Sequence, residues 1–442
     1  MKKHPTLSRI AIACLMTCSA GVLAANPTYT PGALSTLGKV SHPGTILSST
    51  INPAAGELLV GMDEKVRMGF MSSLGYRLEL GPIDNFLDQA DDLADALEDE
   101  DLSLNDALEL KDDFDALLPE FGQSGRLTQQ AGFSIPLMPF AFRSETLNGV
   151  ITFDISAGGM LDARFLDDPI QIEVASEQIN LLTSSSFYIK SAAALTASVG
   201  YSRNVWESEM GDYNVYAGAT ANLHVIGLNK QLIALQNLID DEDVGTAIED
   251  EFSSNTGSTT EVGFDLGLLW TAPNAQIGLT ILNANEPEFA YGDIGQNCLE
   301  LDTVSLQSNC FIAQQVFSDE IALSETATLS AKTIVEGAIY TESRNWLISA
   351  AAELNSTYDL IGRESQYVSV SASYSSDGYI LPSLRFGAAK NLVGTELTTV
   401  SGGTTLLGMI NIDLTMSLET IEVDGSEIPR VFGFNIGIEE KF

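Results

Sequence analysis

Ile410-Asn411-Ile412-Asp413-Leu414-Thr415-Met416-Ser417-Leu418-Glu419 alternates without a break between apolar and polar side chains. Side chains on a strand point to opposite faces with period 2, so this segment has one wholly apolar and one wholly polar face. Phe432-Gly433-Phe434-Asn435-Ile436-Gly437-Ile438 repeats the pattern, and the chain ends at Phe442. A sheet between lipid and water needs such two-faced strands. With an export leader and an aromatic last residue they predict an all-β fold, an antiparallel β-barrel of the bacterial outer membrane. In this reading Phe434, Ile436, Ile438 and Phe442 form the C-terminal signal for the barrel-assembly machinery, with Glu440 as a departure from its apolar pattern.

Lys2, Lys3 and Arg9 precede an apolar stretch from Ile10 to Leu23, and Ala24 and Ala25 offer small residues for cleavage. This has the layout of a signal peptide over residues 1–25 and is too short for a membrane helix. A lipoprotein reading at Leu15-Met16-Thr17-Cys18 is the weaker alternative, because Thr17 is large for that position. No later stretch has the run of about 18 apolar residues that a spanning helix needs. The expected location is the cell outer membrane, with the periplasm as the alternative if the apolar stripes are buried in a soluble sandwich.

The chain carries 60 acidic against 21 basic residues, a net charge of −39. That balance argues against direct nucleic-acid binding, which needs a basic patch. Lipid, lipopolysaccharide and other proteins are the expected partners. Cys14 and Cys18 leave with the leader, and Cys298 and Cys310 remain in an oxidising compartment. A disulfide between them is expected, in a polar loop outside the membrane.

Residues 26–64 lack sustained periodicity and contain Asn52-Pro53-Ala54-Ala55-Gly56. Irregular backbone ahead of a barrel finds polar partners inside the lumen, so this segment is expected to be a plug. Asn52-Pro53 also suits a plain structural turn without a gating role. The barrel is expected over residues 65–442. Strand candidates are Val66–Leu80, Leu127–Arg143 (interrupted by Pro136 and Pro139), Gly149–Ala157, Gln171–Ala175, Phe187–Tyr201, Tyr213–Ile226, Val262–Trp270 and Ala275–Leu282. The series continues with Thr326–Ala338, Trp346–Leu354, Tyr367–Tyr374, Tyr379–Ala389, Leu406–Leu418 and Pro429–Phe442. These make about 14 strands, with 12 as the near alternative, and bacterial barrels favour even numbers.

Two insertions carry helical spacing. Near 82–121, Ile83, Phe86, Leu87, Ala90, Leu93, Ala94 and Leu97 recur on one face, followed by a second set from Leu104 with Ser103 as N-cap. Near 229–252, Leu232, Leu235, Leu238 and Ile239 stand opposite Asp240, Asp241, Glu242 and Asp243. Acidic runs such as Asp99-Glu100-Asp101 lack the spacing of a calcium loop and read as solvated faces. His42 and His224 are the only histidines after the leader. His224 shares a strand face with Thr220 and Asn222, without a GxSxG serine to serve, so no catalytic residue, metal or cofactor is expected.

Asn52-Pro53-Ala54 resembles the hatch motif of FadL-type outer-membrane transporters of hydrophobic compounds. The acidic helix after the first strand, Val262-Gly263-Phe264-Asp265-Leu266-Gly267-Leu268-Leu269-Trp270, Gln276-Ile277-Gly278-Leu279 and Leu384-Arg385-Phe386-Gly387 look more like a sister family, the conjugal transfer TraF-like proteins. The resemblance runs from about residue 50 to the end. It implies a FadL-like barrel of about 14 strands with an N-terminal plug, taking part in a plasmid transfer apparatus and contacting its other proteins. A FadL-like passive channel for small hydrophobic solutes is the alternative, and it requires a continuous apolar pocket behind the plug.

Overall fold

The computed structural model describes residues 33–60, 65–86, 89, 92–93, 96–97, 102–175, 178–240, 257–343, 345–375 and 382–440. The leader, residues 26–32 of the plug segment, Asp99-Glu100-Asp101, residues 241–256 and Phe442 lie outside them. The wall is a closed antiparallel barrel of 14 strands. They are β1 (Val66–Leu80), β2 (in two halves, Arg126–Ser134 and Phe140–Ser144), β3 (Gly149–Leu166), β4 (Ser186–Glu207), β5 (Asn214–Ala234), β6 (Gly257–Thr271) and β7 (Ala275–Leu282). There follow β8 (Lys332–Tyr340), β9 (Trp346–Glu353), β10 (Tyr367–Tyr374), β11 (Ser383–Asn391), β12 (Thr398–Leu406), β13 (Ile410–Ser417) and β14 (Val431–Glu440). Each strand pairs with its neighbour in sequence, and β1 closes on β14 with Tyr76 opposite Phe434 and Leu78 opposite Phe432.

The barrel is apolar outside and polar inside. Leu414, Met416, Phe432, Ile436 and Phe386 are exposed, while Asp413, Asn411, Asn435, Glu439 and Arg385 are buried. The residues expected in the C-terminal signal, Phe434, Ile436 and Ile438, lie on the outward stripe. An arginine at Leu414, mid-strand on this face, is expected to cost about 2–4 kcal/mol near the bilayer centre. Refolding of Leu414→Arg into lipid vesicles measures it; a cost near zero would mean the stripe does not meet lipid.

Short turns and the start of β1 gather at one end, long loops at the other. All three tryptophans, Trp206, Trp270 and Trp346, sit at the turn ends of their strands, with Tyr213 stacked 6.0 Å from Trp270 and Tyr374 5.1 Å from Trp346. Aromatic rings with polar tips collect where hydrocarbon meets headgroup, so this row marks one membrane interface.

Four sequence expectations need correction. Thr326–Ala338 starts too early, because Thr326–Thr328 pairs with Glu288–Ala290 in the loops and the wall strand begins at Lys332. Gln171–Ala175 is not a wall strand: it pairs with Gln178–Leu182 in a loop hairpin. Thr398–Leu406 is a wall strand that the pattern hid, since its outward residues are Thr398, Val400, Gly402, Thr404 and Leu406. The two errors cancel in the count. The second insertion starts at Leu235, because Asn229–Ala234 continue β5, and a helix follows over Leu235–Asp240.

β3, β4 and β5 run 18, 22 and 21 residues, well beyond what a membrane strand needs. Their upper parts form a raised wall beyond the membrane. On its outer face Phe165, Phe187, Ile189 and Ile233 are buried by Phe114, Leu118 and Phe121 of the helix Leu104–Ser124 and by the hairpin residues Ile170 and Leu181. Ser103 caps that helix, accepting from Asp106 N at 3.3 Å. On the inner face Tyr188 and Leu232 pack against Ile294, Ala313, Phe317 and Ile321 of the long β7–β8 loop.

Candidate functional site: a plug in the lumen

The segment before β1 folds into the lumen as short helical turns, Leu34–Leu37, Ser48–Ile51, Pro53–Ala55 and Gly56–Leu59. Its backbone and hydroxyl groups find partners on the wall. Thr36 Oγ1 donates to Asp413 Oδ1 at 2.7 Å, and Ser41 Oγ donates to Glu336 Oε1 at 2.6 Å. Thr45 Oγ1 and Ile46 N donate to the two oxygens of Glu439, each at 2.7 Å. Lys39 pairs with Glu353, and Arg143 Nη2 donates to Glu57 and to Val60 O. Wall carboxylates thus serve as acceptors for backbone that lipid would leave unsatisfied.

Asn52 organises the centre. Its Oδ1 accepts from Ala54 N at 3.0 Å, and its Nδ2 donates to Leu268 O and to Glu336 Oε1. Pro53 opens the turn, Ala54 and Ala55 are wholly buried, and Gly56 lies against Ser202. Gly218 and Gly267, opposite each other on β5 and β6, leave the space for it. A Cβ on Gly218 would lie 2.4 Å from Pro53 C, and one on Gly267 would lie 2.1 Å from Asn52 Oδ1. All four expected motif residues, Asn52, Pro53, Ala54 and Gly56, therefore touch the wall. His42 lies in the plug, where its Nδ1 accepts from Gly44 N at 2.8 Å.

Sequence reasoning did not single out the anchors Glu336, Glu353, Asp413 and Glu439. The available signal was an ionisable residue on the polar face of a membrane strand. Asp413 and Glu439 each have a basic neighbour, Arg385 at 3.0 Å and Arg67 at 3.7 Å.

Among the chambers on the loop side of the plug are two that abut it. One, of about 170 Å³, lies between Leu34–Lys39 and the hairpin around Asp359, and is lined by Lys39, Arg77, Lys332, Arg363, Glu353 and Asp359. In that hairpin, burial pushes the Asp359 carboxyl up to about 6, against the pull of Arg363. Arg363 donates to Glu79 Oε1 at 2.6 Å. The other chamber, of about 110 Å³, lies under the raised wall and includes Asp154, His224 and Asp265. His224 Nδ1 lies 2.9 Å from Thr196 Oγ1. Above these, inward residues Ile226 and Leu228 are covered by Phe289, Leu329, Leu360 and Ile361 from the loops. Both chambers have linings of mixed polar and apolar character.

Cys298 and Cys310 are bonded, with Cα atoms 5.4 Å apart, and tie the turn Cys298–Glu300 to the helix Val304–Gln315. Asn309 of that helix accepts from Ala234 N at 2.9 Å, so the module is docked on the end of β5. In Cys298→Ser/Cys310→Ser protein the module is expected to become protease-sensitive while the barrel keeps its heat-dependent gel mobility; loss of the folded barrel band would show that the disulfide supports the wall as well.

The fold and the plug define the class: a plugged outer-membrane β-barrel. The chain belongs to the family described as "F plasmid transfer operon, TraF, protein", whose model matches residues 49–352. No curated protein matches the sequence. Among solved structures it is similar to a TodX deletion mutant, described as a monoaromatic hydrocarbon channel. Identity there is 12%, with 95% of this chain and 99% of that chain covered, at a TM-score of 0.45. It is also similar to CymD, another monoaromatic hydrocarbon channel, at 10% identity, with 94% and 97% covered and a TM-score of 0.41.

Proposed function

We propose that the protein is an outer-membrane component of a plasmid-transfer apparatus, working as a sealed barrel that carries a structured crown for partner proteins. Family membership supports the transfer role. The single observation that favours a platform over an open conduit is the plug, hydrogen-bonded to wall carboxylates on β8, β13 and β14. The crown consists of the helix Leu104–Ser124, the hairpin Gln171–Leu182 and the disulfide module. Its helix presents Asp112, Asp113 and Glu109 outward, so a partner with a basic face is the expected match. Long loops of bacterial barrels face outside, which puts the crown on the cell surface and the plug on the periplasmic side. Export by the leader of a Gram-negative cell, insertion by the barrel-assembly machinery and contact with lipopolysaccharide belong to the same reading. The protein has no enzymatic role in it and uses no cofactor.

Deletion and complementation test it: mating frequency is expected to fall in the deletion strain and to return with the full-length gene. Unchanged mating would remove the transfer role. Cell fractionation with heated and unheated gel samples tests the location.

A gated channel is the second reading, favoured by the chambers beyond the plug. Their charged and hydroxyl-bearing linings suit water and ions. Leu34, Ile334, Ala351 and Ala352 add an apolar side to the first chamber.

A further inference from the structure

The chamber under the raised wall is bounded by Thr50 of the plug, and Phe289 of the loops meets its His224 edge to face at 6.3 Å. Two carboxylates, Asp154 and Asp265, line it, with no lysine or arginine among its lining residues. This sets it apart from most buried carboxylates around it, although Glu336 too is held only by neutral groups, Ser41 and Asn52. Asp413 pairs with Arg385, Glu439 with Arg67, Glu353 with Lys39 and Lys332, and Glu79 with Arg77 and Arg363. Asp265 is held by neutral donors: Asn222 Nδ2 at 2.6 Å and Asn283 N at 2.7 Å. Asp154 has Ser156 and the Ile155 backbone N–H as neutral donors, yet its Oδ1 accepts no hydrogen bond. Thr220 Oγ1 and His224 Nε2 are likewise without a partner. These three residues are at least nine-tenths buried, and all line the same small space.

Buried polar atoms are nearly always paired, and a buried carboxylate needs a countercharge. Three orphan atoms around one chamber, one of them anionic, point to an occupant that brings positive charge. We propose that this chamber binds a small monovalent cation, with Asp154 Oδ1 as the charged ligand and the hydroxyl and amide oxygens around it as neutral ligands. Oxygen-rich surroundings suit hard ions such as sodium or potassium, and equally a primary ammonium group, whose N–H donors take the same acceptors. Both Asp265 oxygens are already taken by Asn222 and Asn283, so a single carboxylate oxygen, Asp154 Oδ1, is left for an ion, and no cluster of three or more metal-ligating side chains occurs among the described residues.

The test is thermal unfolding of the folded full-length barrel in a neutral detergent at fixed ionic strength. Sodium, potassium and methylammonium chlorides are each exchanged against N-methylglucamine chloride, whose cation is too large for the chamber. A ligand that binds only the folded state raises the midpoint with its concentration. The expected result is a rise of several degrees with at least one of the three cations, absent in Asp154→Asn. Which cation acts separates an inorganic ion from an ammonium ligand. A midpoint indifferent to cation identity, as water alone in the chamber would give, overturns the proposal, as does an equal rise in Asp154→Asn. If Asp154→Asn does not fold, the wild-type comparison still decides, and Thr220→Val, which removes a neutral ligand, is expected to need more cation for the same rise.

Discussion

A barrel carrying Gly267→Val is expected to fold and to lose its seal. The new side chain starts 2.1 Å from Asn52 Oδ1 and 2.8 Å from Ala54 N, where no adjustment of a flexible side chain relieves it. Either the strand or the turn must move, and the strand is held on both sides by ladder hydrogen bonds to β5 and β7. Overpacking of this kind costs about 1–3 kcal/mol even where neighbours yield. Here it also separates Asn52 from Leu268 O and Glu336. Planar-bilayer recordings are expected to show steady conductance in the variant and little in the wild type, with residues 33–60 newly open to protease. Gly218→Val is expected to act the same way, since its Cβ meets Pro53 backbone. A folded Gly267→Val barrel with wild-type conductance would show that the plug turn is not the seal.

The largest loss of stability is expected from Asp413→Ala. Asp413 is fully buried, takes Arg385 Nη2 at 3.0 Å and accepts Thr36 Oγ1 of the plug. Removing one member of a buried pair leaves the other charge without compensation, which costs about 3–5 kcal/mol. Arg385 keeps Thr405 and Thr404 O as acceptors, which reduces but does not replace the lost charge. Urea titration of the folded gel band measures the effect. The double variant Asp413→Leu/Arg385→Met is expected to recover most of it, because it removes both charges together. If the single variant were as stable as wild type, the pair would be solvated and the lumen wetter at that point than the packing indicates.

The legible parts of the sequence were those where one face is written in large apolar residues. β13 and β14 need nothing beyond alternation, and the interrupted Leu127–Arg143 reads correctly as one wall position, because Pro136 and Pro139 cannot supply ladder N–H groups. β12 was illegible because Gly402, Thr398 and Thr404 face outward. Gln171–Ala175 alternates well but stands on a loop, where the burial comes from a helix rather than lipid. Leu232 reads as helical because Leu232, Leu235, Leu238 and Ile239 fall at helical spacing. Instead it points inward from β5 onto Phe317 and Ile321, partners that lie far along the chain. The plug had a local trace in Asn52-Pro53-Ala54. Its anchors had none, since pairs such as Thr36 with Asp413 join residues separated by most of the sequence.

Both residues that grip the plug near Pro43–Ile46 stand on the closing seam. Arg67 of β1 donates to Pro43 O at 2.7 Å, and Glu439 of β14 takes Thr45 and Ile46. The plug is synthesised before any strand, yet its latch arrives with the final one. Sealing therefore reports completion: a chain cut short before Val431 lacks the partner of β1 and the latch together. An unfinished barrel is thus open-sided and grips the Thr45–Ile46 part of its plug less firmly, while Glu336, Glu353 and Asp413 still hold the rest.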